Sequence, residues 1–318
     1  MLEVEGLTKY FSSGLNKKRS VKAVDGVSFN IGKGKTLGLV GESGCGKTTV
    51  GRLIMRLIEP TAGKVLFDGI DLIALNRKEL RNIRPRMQMI FQDPDSSLDP
   101  RMKISASIEE PLRLHGTYSR DEREQKVLEL VKIVGLGPEH IERYPYQLSG
   151  GQNQRVVLAR IMAMNPDLII ADEPTSSLDV SVQAQILNLM KDMQKTFNLS
   201  YLFISHDLDV VRIMADHIAV MYLGRLVEIG ETNDIFNSAK HPYTQALLLA
   251  ATRLQPGVGD GAGHVKGIIL KGDTPSPFDI PTGCRFHMRC PHQKDVCLSQ
   301  EPESFEVGVG HYVACHFV

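Results

Sequence analysis

Gly41-Glu42-Ser43-Gly44-Cys45-Gly46-Lys47-Thr48 follows an apolar strand expected over 36–40 and opens a helix expected over 49–58. The stretch fits G-x-x-x-x-G-K-[ST] in the strand–loop–helix context that gives the pattern its meaning. Gly41, Gly44 and Gly46 let the backbone wrap closely, so that successive N–H groups point at phosphate oxygens, and the positive end of the following helix adds to that field. Lys47 is expected to reach the β- and γ-phosphates of a nucleotide, and Thr48 to offer its hydroxyl to Mg²⁺. Ser43 and Thr49 complete the set of cradle positions. A chance match in a glycine-rich turn is the competing reading, and the flanking elements argue against it. Cys45 fills a variable position of the loop, where a small residue is tolerated.

Working outward, the apolar run 168–171 reads as a parallel strand covered on both faces, delivering Asp172 and Glu173 at its carboxyl end, where ligands of open α/β sheets bind. Asp172 is placed to hold Mg²⁺ through water, and Glu173 to orient or deprotonate the attacking water. Two carboxylates after an apolar strand can be a solvated turn; beside a phosphate loop the functional reading wins. Gln92, after a strand over 87–91, could touch both Mg²⁺ and the water and begins a helical region. His206 ends a strand over 200–205 and could hydrogen-bond the γ-phosphate, although single histidines at strand ends are commonly structural.

Short strands over 2–4, 27–31 and 64–67, the last ending in the turn Asp68-Gly69, suggest an antiparallel β layer. A polar, basic stretch at 12–20 separates the first two. The region 93–146 is mainly helical, with Val127, Leu130, Val131 and Val134 on one face. Ser149 is the expected N-cap of a helix running to Met164, ended by Asn165-Pro166. A helix over 182–197 carries a stripe of Val182, Ile186, Leu189, Met193 and Phe197. A strand over 200–204, a short helix after Asp207 and a strand over 218–221 continue the alternation of an α/β sheet.

Leu148-Ser149-Gly150-Gly151-Gln152 adds a second anion site. Ser149 caps a helix whose first turn is two glycines, leaving N–H groups without side-chain cover. Two phosphate cradles in one chain make sense if they belong to different nucleotides or meet across a dimer. With Gln92, Leu168-Ile-Ile-Ala-Asp-Glu-Pro-Thr175, Ser176-Ser177-Leu178-Asp179 and His206, the order resembles an ABC-transporter ATPase subunit over about the first 230 residues. The resemblance implies that Ser149, Gly150, Gly151 and Gln152 of one subunit bind the γ-phosphate held by the loop of another, in a head-to-tail dimer enclosing two ATP molecules. It further implies that Asp179 lies in the loop crossing between sites, and that Phe11, or else Tyr10, stacks on adenine. Glu173, His206, Gln92 and Lys47 would then form the catalytic set, with Thr48, Gln92 and Asp172 serving Mg²⁺. Asn153-Gln154 after the signature is a mild variation.

His241-Pro242-Tyr243-Thr244-Gln245-Ala246-Leu247, Pro281-Thr282-Gly283-Cys284 and Ala314-Cys315-His316 resemble one branch, the ATP-binding subunits of bacterial oligopeptide and dipeptide importers. That resemblance implies two membrane permease subunits as partners, an extracytoplasmic solute-binding protein indirectly, and a peripheral place on the cytoplasmic face of the inner or plasma membrane. Importers of nickel and other small solutes share the branch. A soluble ABC ATPase acting on ribosomes or DNA, or a P-loop kinase, are readings of other classes; the single ATPase domain argues against the first and Leu148–Gln152 against the second.

The expected fold is α/β: an ABC-type P-loop ATPase with mixed core sheet, antiparallel β subdomain and helical subdomain, plus a small cysteine-rich C-terminal tail. The expected domains are 1–236, with the helical subdomain at about 93–165, and an extension over 237–318 with a linker at about 255–267. Across 318 residues, 37 Lys and Arg balance 37 Asp and Glu, so no basic excess points to nucleic acid. No apolar run reaches the ~18–20 residues of a membrane span, and Met1-Leu2-Glu3-Val4-Glu5 has no secretory character, so a cytosolic protein that docks on other subunits is expected. Of five cysteines, Cys284, Cys290, Cys297 and Cys315 crowd into the tail with C-x5-C-x6-C-x17-C spacing. In a reducing compartment they read as a metal site, zinc or iron–sulfur, or as buried thiols. No C-x-x-C pair is present, and the resemblance implies a 4Fe–4S cluster on these four positions.

Overall fold

The computed structural model describes residues 1–12, 20–92, 97–116, 118–253 and 275–318. The linker at 255–267, nearly all of the basic stretch 12–20 and the start of the helical region at Asp93 lie outside them. In chain order the strands are β1 (Leu2–Ser12), β2 (Ser20–Ile31), β3 (Thr36–Val40), β4 (Ala62–Phe67), β5 (Ile70–Asp71), β6 (Met87–Ile90), β7 (Leu168–Asp172), β8 (Ser200–Ser205), β9 (His217–Tyr222), β10 (Arg225–Glu231), β11 (Phe305–Gly308) and β12 (His311–Val313). The helices are α1 (Lys47–Ile54), α2 (Arg77–Ile83), α3 (Ile104–His115), α4 (Arg120–Ile133), α5 (Gly150–Met162), α6 (Val180–Phe197), α7 (Leu208–Met214), α8 (Thr232–Ser238), α9 (Pro242–Arg253) and α10 (Asp295–Ser299). Two compact units result: Met1–Ile31 with Thr36–Ile73 and Ile204–Val318, and Gly32–Lys35 with Ala74–Phe203.

In the first unit β2, β1, β4 and β5 form an antiparallel layer in that order. β1 and β2 run much further than the expected 2–4 and 27–31. Register shifts between Val4 and Leu7, Leu7 and Lys9, and Lys9 and Tyr10 break the alternation of apolar and polar residues while the ladder continues to Ser12↔Ser20. Bulges of this kind erase the period of two on which a sequence reading depends. Asp68 and Gly69, both at positive φ (48° and 80°), make the tight turn between β4 and β5.

The other strands of this unit follow the order β11-β12-β10-β9-β3. β3 runs parallel to β9, whereas β9–β10, β10–β12 and β11–β12 are antiparallel. The sheet is therefore mixed. β10, β11 and β12 escape the sequence reading because partial exposure leaves them without a continuous apolar run. They also correct the idea of a separate tail: Glu228↔Val313 and Ile229↔Tyr312 stitch β12 onto β10. α1 begins at Lys47 and ends at Ile54, four residues short of the expected end, and Arg56 at φ 47° lies in the turn that follows.

In the second unit the order is β8-β7-β6, with β6 parallel to β7 from Met87↔Leu168 to Ile90↔Ala171. Every residue of β7 is buried, as an apolar run covered on both faces requires. Val127, Leu130, Val131 and Val134 are buried as their spacing predicts. α5 carries a full capping box: Ser149 Oγ accepts from Gln152 N–H at 3.3 Å, and Gln152 Oε1 accepts from Ser149 N–H at 3.0 Å. On α6 the buried residues are Ile186, Leu187, Met190 and Met193. The expected stripe is therefore rotated, with Val182 and Leu189 at its margin and Phe197 exposed. Among the described residues, no helix is long and apolar enough to cross a membrane.

Candidate functional site

The glycine loop 41–48 joins β3 to α1 in the first unit. A Cβ at Gly41 would lie 2.2 Å from Met221 O, and one at Gly46 would lie 2.1 Å from Ala23 O; their φ values are +153° and +113°. Only glycine lets the chain fold this tightly, and the result is a backbone cradle. Lys47 is buried and its Nζ donates to Gly41 O at 2.7 Å and Glu42 O at 3.0 Å. The ammonium therefore sits at the loop's own mouth, held by carbonyls that a phosphate oxygen could replace. Ser43 and Gly44 are exposed, Thr48 and Thr49 half-buried at the head of α1. The donors and the cradle fit a nucleotide phosphate chain with a divalent cation. Cys45 is buried among them, and burial pushes its thiol pKa up, so it is not a reactive thiolate.

Phe11 lies exposed on β1, with Lys9 Nζ 5.1 Å from its ring centroid. The Tyr10 hydroxyl instead donates to Asp25 Oδ1 at 2.5 Å. Of the two aromatics, Phe11 is the one left available for stacking. His206 directly follows β8 and is exposed.

The second unit carries the remaining candidates. Gln92 Nε2 donates to Glu173 Oε2 at 3.0 Å, so the expected glutamine and the expected base meet directly. Asp172 is buried at the end of β7. Glu173, the next residue, sits at φ 49°, in the left-handed region that non-glycine residues rarely occupy. Its carbonyl accepts from Ser176 Oγ at 3.1 Å and Ser176 N–H at 3.3 Å, which holds the strained turn. Asp179 caps α6, accepting from Ser181 N–H at 3.1 Å and Val182 N–H at 3.0 Å; the Val182 bond foremost keeps its carboxyl below the usual range. Gly150 is exposed at the start of α5. Gly151 is buried, and a Cβ there would lie 2.3 Å from Val182 Cγ1, so packing against α6 alone requires a glycine.

Two family descriptions match this chain: ABC transporter over residues 24–176, and oligopeptide/dipeptide transporter, C-terminal region, over residues 227–297. The oligopeptide transport ATP-binding protein AppF of Bacillus subtilis (strain 168) is 50% identical over 99% of this chain and 97% of its own length. The chain belongs to the ATP-binding subunits of ABC transporters. The dipeptide transport ATP-binding protein DppF of Escherichia coli (strain K12) is 48% identical over 95% of this chain and 88% of its own. Among solved structures, the dimeric post-hydrolysis state of the ATP-binding cassette MJ0796, bound to ADP and Pi, is 31% identical. It covers 73% of this chain and 99% of its own, with TM-score 0.66. An ABC ATPase fold with mixed sheet and helices is thus established, and this ABC subunit is an ATPase.

Cys297 and Cys315 are buried, Cys284 and Cys290 half-buried, and all are free thiols. Burial pushes Cys284 up to about 11 and also raises Cys290 and Cys315; the negative charge of neighbouring cysteines adds to each. Four soft donors, the kind a thiolate-ligated centre uses, are therefore present in the C-terminal region. Yet among the described residues no group of three or more His, Cys, Asp or Glu could hold a metal ion. Backbone pairing sets the positions: Cys284 N–H donates to Cys297 O at 2.9 Å, and Cys315 follows β12. The expected iron–sulfur or zinc centre is not supported by this geometry.

Sequence reasoning also missed contacts from the C-terminal region to the loop. Arg289 and Tyr243 both bond Glu42. Spacing carries no signal for them, because neither Arg289 nor Tyr243 stands in a periodic pattern that ties it to Glu42.

Proposed function

We propose that this ABC subunit is the ATP-hydrolysing motor of an oligopeptide or dipeptide importer. The cargo class is supported by similarity to oligopeptide and dipeptide transport proteins along nearly the whole chain, C-terminal region included. In this reading Gly41, Ser43, Gly44, Gly46 and Thr49 cradle the phosphates, Lys47 pairs with the β- and γ-phosphates, and Phe11 stacks on adenine. Thr48, Gln92 and Asp172 would hold Mg²⁺, which offsets phosphate charge when bound. Glu173 accepts a proton from the attacking water, Gln92 holds its carboxylate in place, and His206 hydrogen-bonds the γ-phosphate. Catalysis is then positioning plus charge stabilisation.

A second ATPase subunit, the same or a paralogue, supplies its Ser149–Gln152 helix start across a head-to-tail dimer, and Asp179 lies in the crossing loop. Two permease subunits dock this motor to the cytoplasmic face of the membrane, and a solute-binding protein delivers cargo outside. The carrying observation for the chemistry is the 3.0 Å contact between the Gln92 amide and the Glu173 carboxylate. Glu173→Gln is expected to keep ATP affinity and lose turnover by about a hundredfold or more; wild-type turnover in that variant removes Glu173 from the role of base. For the tail, the reading keeps a 4Fe–4S cluster on Cys284, Cys290, Cys297 and Cys315 as a proposal that rests on their soft-donor chemistry and not on ligand geometry. Anaerobic purification followed by iron and sulfide analysis tests it: about four of each per chain is expected, and stoichiometric zinc or no metal overturns it.

A further inference from the structure

Between Cys284 and Cys290 the chain presents two arginines, both buried, that point into the nucleotide-binding unit. Arg289 meets Glu42, the second residue of the glycine loop, fork to fork: Nη1 donates to Oε2 at 2.8 Å and Nη2 to Oε1 at 2.9 Å. The side chains are only 7% and 23% exposed, so solvent screens the pair weakly. Glu42 is held at its other polar groups as well. Its N–H donates to Tyr243 Oη at 2.9 Å, and its carbonyl accepts from Lys47 Nζ at 3.0 Å.

Arg285, four residues earlier, pairs with Asp25 and donates to Leu223 O, while its Nε reaches Glu301 Oε1 at 3.1 Å. Asp25 in turn accepts the Tyr10 hydroxyl at 2.5 Å, next to Phe11. Phe286 pins the segment between the two arginines. It is 1% exposed and packs on Tyr222 and Tyr243, each at 5.4 Å, and on His241 at 5.6 Å.

A phosphate loop binds through backbone N–H groups that must converge before the ligand arrives, and any freedom lost on binding weakens affinity. A planar guanidinium bonded twice to one carboxylate fixes orientation as well as charge, which an ammonium cannot do. We infer that Arg289 is a positioning residue for ATP binding, which presets the phosphate loop through Glu42, and that Arg285 steadies the strand bearing Phe11 through Asp25 and Tyr10. The C-terminal region therefore sets the affinity of the site for ATP without touching the nucleotide. This rests on the reading of residues 41–48 as the ATP phosphate loop.

The test is a titration of the full-length chain with a fluorescent ATP analogue, together with steady-state ATPase kinetics. Arg289→Ala is expected to weaken binding about tenfold, the scale of one charge-assisted bond, with KM rising in parallel and kcat at saturating ATP within about twofold. Arg289→Lys falls between wild type and Arg289→Ala, because charge survives and the fork does not. Arg289→Ala combined with Glu42→Ala is no weaker than the worse single variant. Unchanged affinity in Arg289→Ala, additive losses in the pair, or a fall in kcat alone overturns the inference. Thermal melting checks folding; if Arg289→Ala does not fold, Glu42→Ala and Arg289→Lys carry the same comparison. Wild-type protein that fails to bind the analogue, or Lys47→Ala that binds it as well as wild type, overturns the phosphate-loop reading instead.

Discussion

Lys47 illustrates how a single side chain can be poised without its ligand. Its ammonium is buried yet satisfied by the carbonyls of Gly41 and Glu42, so no unpaired charge is left in a dry site. Exchanging those carbonyls for phosphate oxygens replaces dipoles with full charges. Hydrogen bonds to charged groups contribute about 1.5–3 kcal/mol, so Lys47→Ala is expected to weaken ATP binding by roughly tenfold to a hundredfold in a calorimetric titration. Undiminished affinity would contradict the assignment. Glu173 shows a different economy: its left-handed backbone costs about 1–3 kcal/mol, and the Ser176 and Gln92 contacts hold it there. The identity of both residues was legible in the sequence, because each follows an apolar strand at a fixed offset. The contact between Gln92 and Glu173, 81 residues apart, was not.

At the scale of elements, β3 and β7 match the reading, and α1 matches in place though not in length, because their signals are local: a short buried strand, a glycine loop, an apolar run. β1 and β2 outran it because bulges broke their alternation, and β10 to β12 escaped because partial exposure leaves no apolar run. α9 enters through His241, which is 1% exposed, with a ring nitrogen accepting from Tyr243 N–H at 3.1 Å. Its backbone N–H donates to Glu228 Oε2 at 3.1 Å, and Glu228 also accepts from Lys240 N–H and faces His311. Burial depresses the imidazole from 6.5 to about 3. A histidine held neutral in the folded state, but free to protonate when unfolded, contributes fully above pH 6.5. That contribution is lost as pH falls toward 3, by at most about 1.4 kcal/mol per unit. Urea midpoints for wild type are therefore expected to drop below pH 6.5 more steeply than those of His241→Asn, whose amide oxygen can accept the same bond. Parallel slopes would show that His241 does not govern this acid sensitivity.

For the whole molecule, the proposed reading gives one chain two unlike anion cradles, the glycine loop and the capped start of α5. On the proposed reading each nucleotide needs one cradle from each of two subunits. Glu173→Gln with ATP and Mg²⁺ is accordingly expected to elute at twice the mass it shows without nucleotide, or to pair with its paralogue. Elution unchanged by ATP, alone and with neighbouring subunits, would sink the motor reading.

The sequence alone determined the family, the α/β class and the residue types of the candidate nucleotide site, because phosphate binding imposes local rules on spacing and backbone freedom. Only the tertiary structure decided that the C-terminal segment stitches β12 onto β10 and bonds Arg289 to Glu42 of the glycine loop. Those contacts join residues as far apart as Glu42 and Arg289. Packing, with no local pattern to announce it, brings them together.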